Sequence, residues 1–141
     1  MNKTSYKDQF DLTGKTAIVT GGAGILGRHF CLGLAESGAN VVVADLHYNA
    51  AMQLVSDLQD RYGTNALAIG CDVANQQSVQ KMVTDVVVEF GEINILHNNA
   101  AGKSEDLDAF FAPFEEYSLE QWQKIMSVNL DGMFLVAQAV G

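Results

Sequence analysis

Hydrophobic positions along the chain follow two rhythms: short continuous runs, and stripes recurring every three to four residues. Ala17-Ile18-Val19 and Val41-Val42-Val43-Ala44 are apolar runs rich in β-branched residues, as expected of strands buried on both faces. Between them Ile25, Leu26, Phe30, Cys31, Leu34 and Ala35 recur at helical spacing, and Gly38 sits where a helix would stop. A second helix is expected from about Asn49 to Tyr62, with Met52, Leu54, Val55, Leu58 and Tyr62 on its apolar face. Ala66 to Gly70 reads as a third strand. Asn75 suits the cap of a third helix, striped by Val79, Met82, Val83, Val86, Val87 and Phe90. Ile93 to Leu96 reads as a fourth strand. Ser118-x-x-Gln121 is a capping box that opens a last helix running from Leu119 to the end. Its apolar residues, among them Trp122, Met126, Leu130, Phe134 and Val140, spread around most of the circumference and predict burial on more than one side. Lys103 to Tyr117 reads as a long loop. Its three phenylalanines, Phe110, Phe111 and Phe114, predict that it folds back on the body or covers a site.

The joints between these elements carry the chemistry. Gly22-x-Gly24-x-x-Gly27 follows the first strand and opens the first helix, matching a dinucleotide-binding fingerprint. Such a turn lets backbone approach a pyrophosphate, and the helix N-terminus meets its charge with free N–H groups. Asp45 ends the second strand 18 residues beyond Gly27, near the spacing of about 20 at which a carboxylate accepts from ribose hydroxyls. The alternation predicts an α/β, Rossmann-type doubly wound parallel sheet in the order 3-2-1-4. Its crevice lies at the strands' C-terminal ends, where Gly21 to Gly27, Asp45, Asp72 and Asn98 to Ala101 all fall.

Composition narrows the partners. The chain has 141 residues and a net charge of −9 without a basic cluster, which disfavours nucleic acid and anionic membranes. No run of about 18 apolar residues suggests a membrane span, and the polar start, Met1 to Phe10, lacks the core of a signal peptide. A cytoplasmic protein with two reduced core cysteines, Cys31 and Cys71, is expected. His29, His47 and His97 form no ligand spacing, so no metal site is expected. Residues 1–12 read as a loose arm, and residues 13–141 as one nucleotide-binding domain, incomplete at its C-terminus.

Together Thr20-Gly21-x-x-Gly24-x-x-Gly27, Asp45, Asp72-Val73, Asn98-Asn99-Ala100-Ala101 and Val128-Asn129-Leu130 resemble the short-chain dehydrogenase/reductase family, from about Leu12 onward. The family's core subclass would place glycine at Ile25. The spacing found here is more usual in the extended subclass, whereas the two asparagine motifs are core-subclass features. Ala101 also stands where glycine is usual. The stretch Lys103 to Leu119 is similar to members that act in bacterial sugar or flagellin modification. The resemblance implies that Gly21, Gly22, Gly24, Ile25, Leu26 and Gly27 cradle the cofactor, and that Asp45 with Leu46 binds the adenosine ribose and selects NAD over NADP. Asp72 and Val73 would flank the adenine, and Asn98, Asn99, Ala100 and Ala101 would line the central cofactor path. Asn129 matches the asparagine that kinks its helix and supports a proton relay through water to the catalytic lysine.

The family's serine and Tyr-x-x-x-Lys have no counterpart here: Tyr6, Tyr48, Tyr62 and Tyr117 precede Phe10, Met52, Ala66 and Gln121 by four residues. The resemblance therefore implies the cofactor-binding half of an NAD-dependent alcohol/carbonyl oxidoreductase. Such a half would be inactive alone and joined to further copies through its C-terminal helix. A non-catalytic dinucleotide-binding or dimerising fragment is the alternative. A nucleotide-sugar epimerase of the extended subclass is a third reading.

Overall fold

The apolar runs form the centre of a four-stranded parallel sheet, seen in a computed structural model that describes residues 9–103 and 106–141. In chain order these are β1 (Thr16–Thr20), α1 (Ile25–Glu36), β2 (Asn40–Asp45), α2 (Tyr48–Tyr62), β3 (Ala66–Gly70), α3 (Gln76–Phe90) and β4 (Ile95–His97). The strands stand in the order β3-β2-β1-β4, all pairs parallel, as the alternation predicts. β1 and β2 are buried almost throughout because helices cover both faces.

Alternation along β1 divides the core. Ala17 and Val19 pack with Cys31, Ala35, Leu54 and Leu58 beneath α1 and α2, while Ile18 packs with Ile69, Val79, Met82 and Val86 on the α3 side. Cys31 and Cys71 are buried free thiols in these two different layers. The sheet lies between them.

Several expectations change. β4 is Ile95–His97 rather than Ile93 to Leu96. The Asn94 side chain and backbone already serve Thr16, accepting from its N–H at 2.8 Å and donating to its carbonyl at 2.9 Å, so the ladder begins at Ile95 opposite Ala17. The inward face of α1 is Gly27, Cys31 and Ala35, whereas Ile25 and Leu26 are 88% and 65% exposed. Small residues one turn apart let that helix lie close on the sheet, with Leu34 packed against the same core and Phe30 stacked on His97 of β4 at 4.0 Å. Met52 of α2 and Val87 of α3 are likewise exposed.

The stretch before the last helix holds α4 (Leu107–Phe110), capped by Asp106, and a 3-10 turn at Phe114–Glu116. Phe111 and Phe114 are exposed rather than folded back on the body, while Phe110 is half-buried and lies edge-on to Phe111 at 5.0 Å. The last helix is α5 (Leu119–Met126), a π-helical stretch at Ser127–Gly132, then α6 (Met133–Val140). Ser118 caps it, its hydroxyl accepting from the Gln121 N–H. Only Ile125, Gly132 and Val136 are buried in it. Trp122, Leu130, Met133 and Phe134 are exposed because no element among the described residues covers that side. Of the expected N-terminal arm, residues 1–8 lie outside the described residues, as do residues 104 and 105 of the expected loop Lys103 to Tyr117. Leu12 is tied down, its N–H donating to the Ser37 carbonyl at 2.8 Å.

Candidate functional site

The glycine turn is shaped by how closely α1 approaches it. A Cβ on Gly27 would lie 2.1 Å from the Gly21 carbonyl oxygen and 2.8 Å from the Gly22 Cα, so no side chain fits. Gly21 has φ +61°, and a Cβ there would sit 2.9 Å from the Ala100 Cα. The turn is pinned by the Gly22 N–H on the Ala44 carbonyl (3.2 Å) and the Gly24 N–H on the Gly21 carbonyl (3.1 Å). Gly24 caps α1 with no side chain folded over the helix end. The first-turn N–H groups at Ile25, Leu26 and Gly27 have no intrahelical acceptor by the geometry of a helix start. They can therefore serve an anion.

Asp45 ends β2 beside this turn and is 8% exposed. One carboxylate oxygen accepts from the Ala23 N–H at 3.0 Å and the other from the His47 N–H at 2.9 Å. The strand end, the turn and the carboxylate are thus one unit. Leu46, next to it, is exposed. Asp72 follows β3, where its carboxylate accepts from the Ala74 N–H at 3.0 Å and its N–H donates to the Ser78 hydroxyl at 3.0 Å. This fixes the turn into α3, whose cap is Asn75. Val73 is buried against Gly132, where an added Cβ would come within 2.8 Å of it.

Beyond β4 a polar network centres on Thr20, which is fully buried. Its hydroxyl accepts from the N–H groups of Asn99 (3.0 Å) and Ala100 (3.1 Å) and donates to the Asn98 side-chain oxygen (3.4 Å). The Asn99 amide donates back to the Thr20 and Gly21 carbonyls at 3.0 and 3.1 Å. Asn98 donates to the Met133 carbonyl at 2.9 Å. Asn129, inside the π-helical stretch, clamps Gly102 from both sides: it accepts from the Gly102 N–H at 2.6 Å and donates to its carbonyl at 3.2 Å. Ala101 lies exposed between these anchors.

The expected residues therefore converge at the C-terminal ends of β1, β2, β3 and β4, and the backbone cradle with its adjoining carboxylate fits a dinucleotide. Thr20 stands in the quoted motif, but its part as the hub was not legible. Its partners lie nearly 80 residues away and meet it only once β4 pairs with β1. Cys31 packs beneath the turn, its thiol donating to the Gly22 carbonyl at 3.8 Å, and burial pushes that thiol up to about 12 and raises that of Cys71 as well. Among the described residues no histidine, cysteine and carboxylate group could hold a metal ion, and no helix is long and apolar enough to cross a membrane.

The short chain dehydrogenase family profile matches residues 15–141. D-threitol dehydrogenase of Mycolicibacterium smegmatis is 39% identical over 132 residues, covering 94% of this chain and 48% of that protein. NADP-dependent mannitol dehydrogenase of Alternaria alternata is 34% identical, covering 98% of this chain and 51% of the relative. The crystal structure of NAD+-bound xylitol dehydrogenase superposes with a TM-score of 0.84 at 31% identity, covering 92% of this chain and 47% of that one. The chain spans about half the length of the curated relatives it matches. With the fold, the turn and this match over residues 15–141 in agreement, the chain belongs to the short-chain dehydrogenase family.

Proposed function

We propose that this chain is the cofactor-binding half of an NAD-dependent oxidoreductase that interconverts an alcohol and a carbonyl on a polyol-like small molecule. The observation that carries the reading is the Asp45 carboxylate, fixed at the end of β2 and hydrogen-bonded to the glycine turn. Ribose hydroxyls seated there meet an acceptor, whereas a 2′-phosphate meets a like charge. NAD, when bound, supplies the hydride chemistry. The chain's own residues do the holding: first-turn N–H groups of α1 meet the pyrophosphate, and Leu46, Asp72 and Val73 border the adenosine. Asn98 to Ala101 line the path toward the nicotinamide. Asn129 is a positioning residue, fixing Gly102 from the π-helical stretch. The polyol class is supported by the names of the threitol, mannitol and xylitol enzymes above.

No tyrosine is followed four residues later by lysine, so an acid/base dyad of the family's kind is not supplied by these residues. Purified 1–141 is expected to show no turnover, and steady NAD reduction with a polyol would contradict that. A dimerising, non-catalytic role is the second reading, favoured by the exposed Leu130 and Phe134 of the last helix. Titration with NAD and NADP tests the main one. NAD should bind more tightly, and Asp45→Ala should narrow the gap. Tighter NADP binding by the unaltered chain would defeat the assignment.

A further inference from the structure

We infer that Asp57 is a cofactor-selectivity residue: it holds the Arg28 guanidinium against α2 and so withholds the cation that would neutralise a 2′-phosphate beside Asp45. The inference rests on the NAD reading above and deepens it.

Arg28 lies in the first turn of α1, its N–H donating to the Gly24 carbonyl at 2.9 Å. It is four residues past the cap of the helix that faces the cofactor phosphates, about 6 Å along the axis. No other lysine or arginine occurs from the glycine turn through α1 and β2 to the first three turns of α2. Arg61, at the far end of α2, lies over the Tyr62 ring at 5.9 Å. From the glycine turn to the third turn of α2, the segment that borders Asp45, Arg28 is therefore the one lysine or arginine. Arginine is also the side chain best suited to a phosphate, being planar and able to donate two parallel hydrogen bonds.

It is engaged elsewhere. Its Nη2 meets the Asp57 Oδ2 at 2.5 Å, and Gln53, one turn earlier on α2, donates to the other carboxylate oxygen at 3.3 Å. The carboxylate is thus braced along α2 and turned toward Arg28. Both partners are partly exposed, at 47% and 39% of their side-chain surface, and an ion pair so placed adds little to stability. What it fixes is the direction of the guanidinium. Selection then has two parts: Asp45 repels the phosphate, and Asp57 removes its counter-ion.

The test is a ligand-observed NMR titration of the 141-residue chain with NAD and NADP, which reads weak affinities. Asp57→Asn should strengthen NADP binding roughly fivefold, equivalent to about 1 kcal/mol, and leave NAD binding unchanged. Asp57→Ala gives a second reading of the same test. The gain should fade with added salt and vanish when Arg28→Gln is combined with Asp57→Asn. If the unaltered chain prefers NADP or binds neither dinucleotide, the NAD reading falls and this inference with it. If it prefers NAD while Asp57→Asn leaves NADP affinity unchanged, or raises it equally in the Arg28→Gln background, this inference alone is overturned.

Discussion

Gly27 is the position at which one atom decides the site. A methyl group there meets the Gly21 carbonyl oxygen at 2.1 Å, so Gly27→Ala must push α1 off the turn. The expected cost is about 1–3 kcal/mol in denaturant melts, together with loss of binding to either dinucleotide. A variant that melts and binds like the original would show that the turn is not shaped by this contact. Thr20→Val keeps the shape but removes the hydroxyl from two backbone N–H groups, at an expected cost of about 2 kcal/mol. Cys31 makes a prediction about pH. Burial raises its thiol from the ordinary 9.0 to about 12, so the folded chain favours the protonated form. That contribution is full below 9.0 and is lost as pH rises toward 12. Stability measured across this alkaline window should fall less steeply in Cys31→Ala. An unchanged slope would contradict the assignment.

At the scale of elements, the π-helical stretch is the joint between the cofactor path and the last helix. Asn129 lies within it and holds both backbone groups of Gly102. Asn129→Ala leaves those groups unpaired, at a cost of about 1–3 kcal/mol, and should speed hydrogen exchange at the Gly102 amide. Unchanged protection there would mean that the clamp does not hold the segment. The strands were legible because β1 and β2 are continuous apolar runs, and Asp45 was legible from its spacing after the glycines. The buried face of α1 was legible only in part. Cys31 and Ala35 stood in the expected stripe and are buried, but Gly27 completes the buried face and offers no apolar signal, while Ile25 and Leu26, also in the stripe, are exposed. The last helix was misread for a different reason. Its apolar residues suit burial, but periodicity does not say whether a cover is present among the residues at hand. The start of β4 depended on a side-chain contact from Asn94 to Thr16, which no strand propensity encodes.

For the whole molecule, the consequence is exposed apolar surface beside an open sheet edge. Among the described residues β4 pairs with β1 on one side only, and Trp122, Leu130, Met133 and Phe134 stand in solvent on the last helix. Each large apolar side chain left uncovered forgoes roughly 1.5–3 kcal/mol of burial, against a net domain stability of about 5–15 kcal/mol. Unpaired N–H and C=O groups of an edge strand add a template for association. Purified 1–141 is therefore expected to self-associate in sedimentation experiments, and Phe134→Glu should shift it toward monomer. A monomer with a sharp melt would contradict this.

The central claim is that a dinucleotide lies at the C-terminal ends of the strands. A competing surface exists: a groove of about 510 Å³ between α3 and α6, lined by Gln76, Val79, Gln80, Val83, Leu135 and Gln138 among others, shares none of those residues. Amide chemical-shift mapping of the isotope-labelled chain on addition of NAD separates the two most directly. Shifts confined to Gly21–Gly27, Asp45–Leu46, Asp72–Val73 and Asn98–Ala101 are predicted, with Gln80 and Gln138 unmoved. Shifts centred on the groove, or none at the glycine turn, would contradict it.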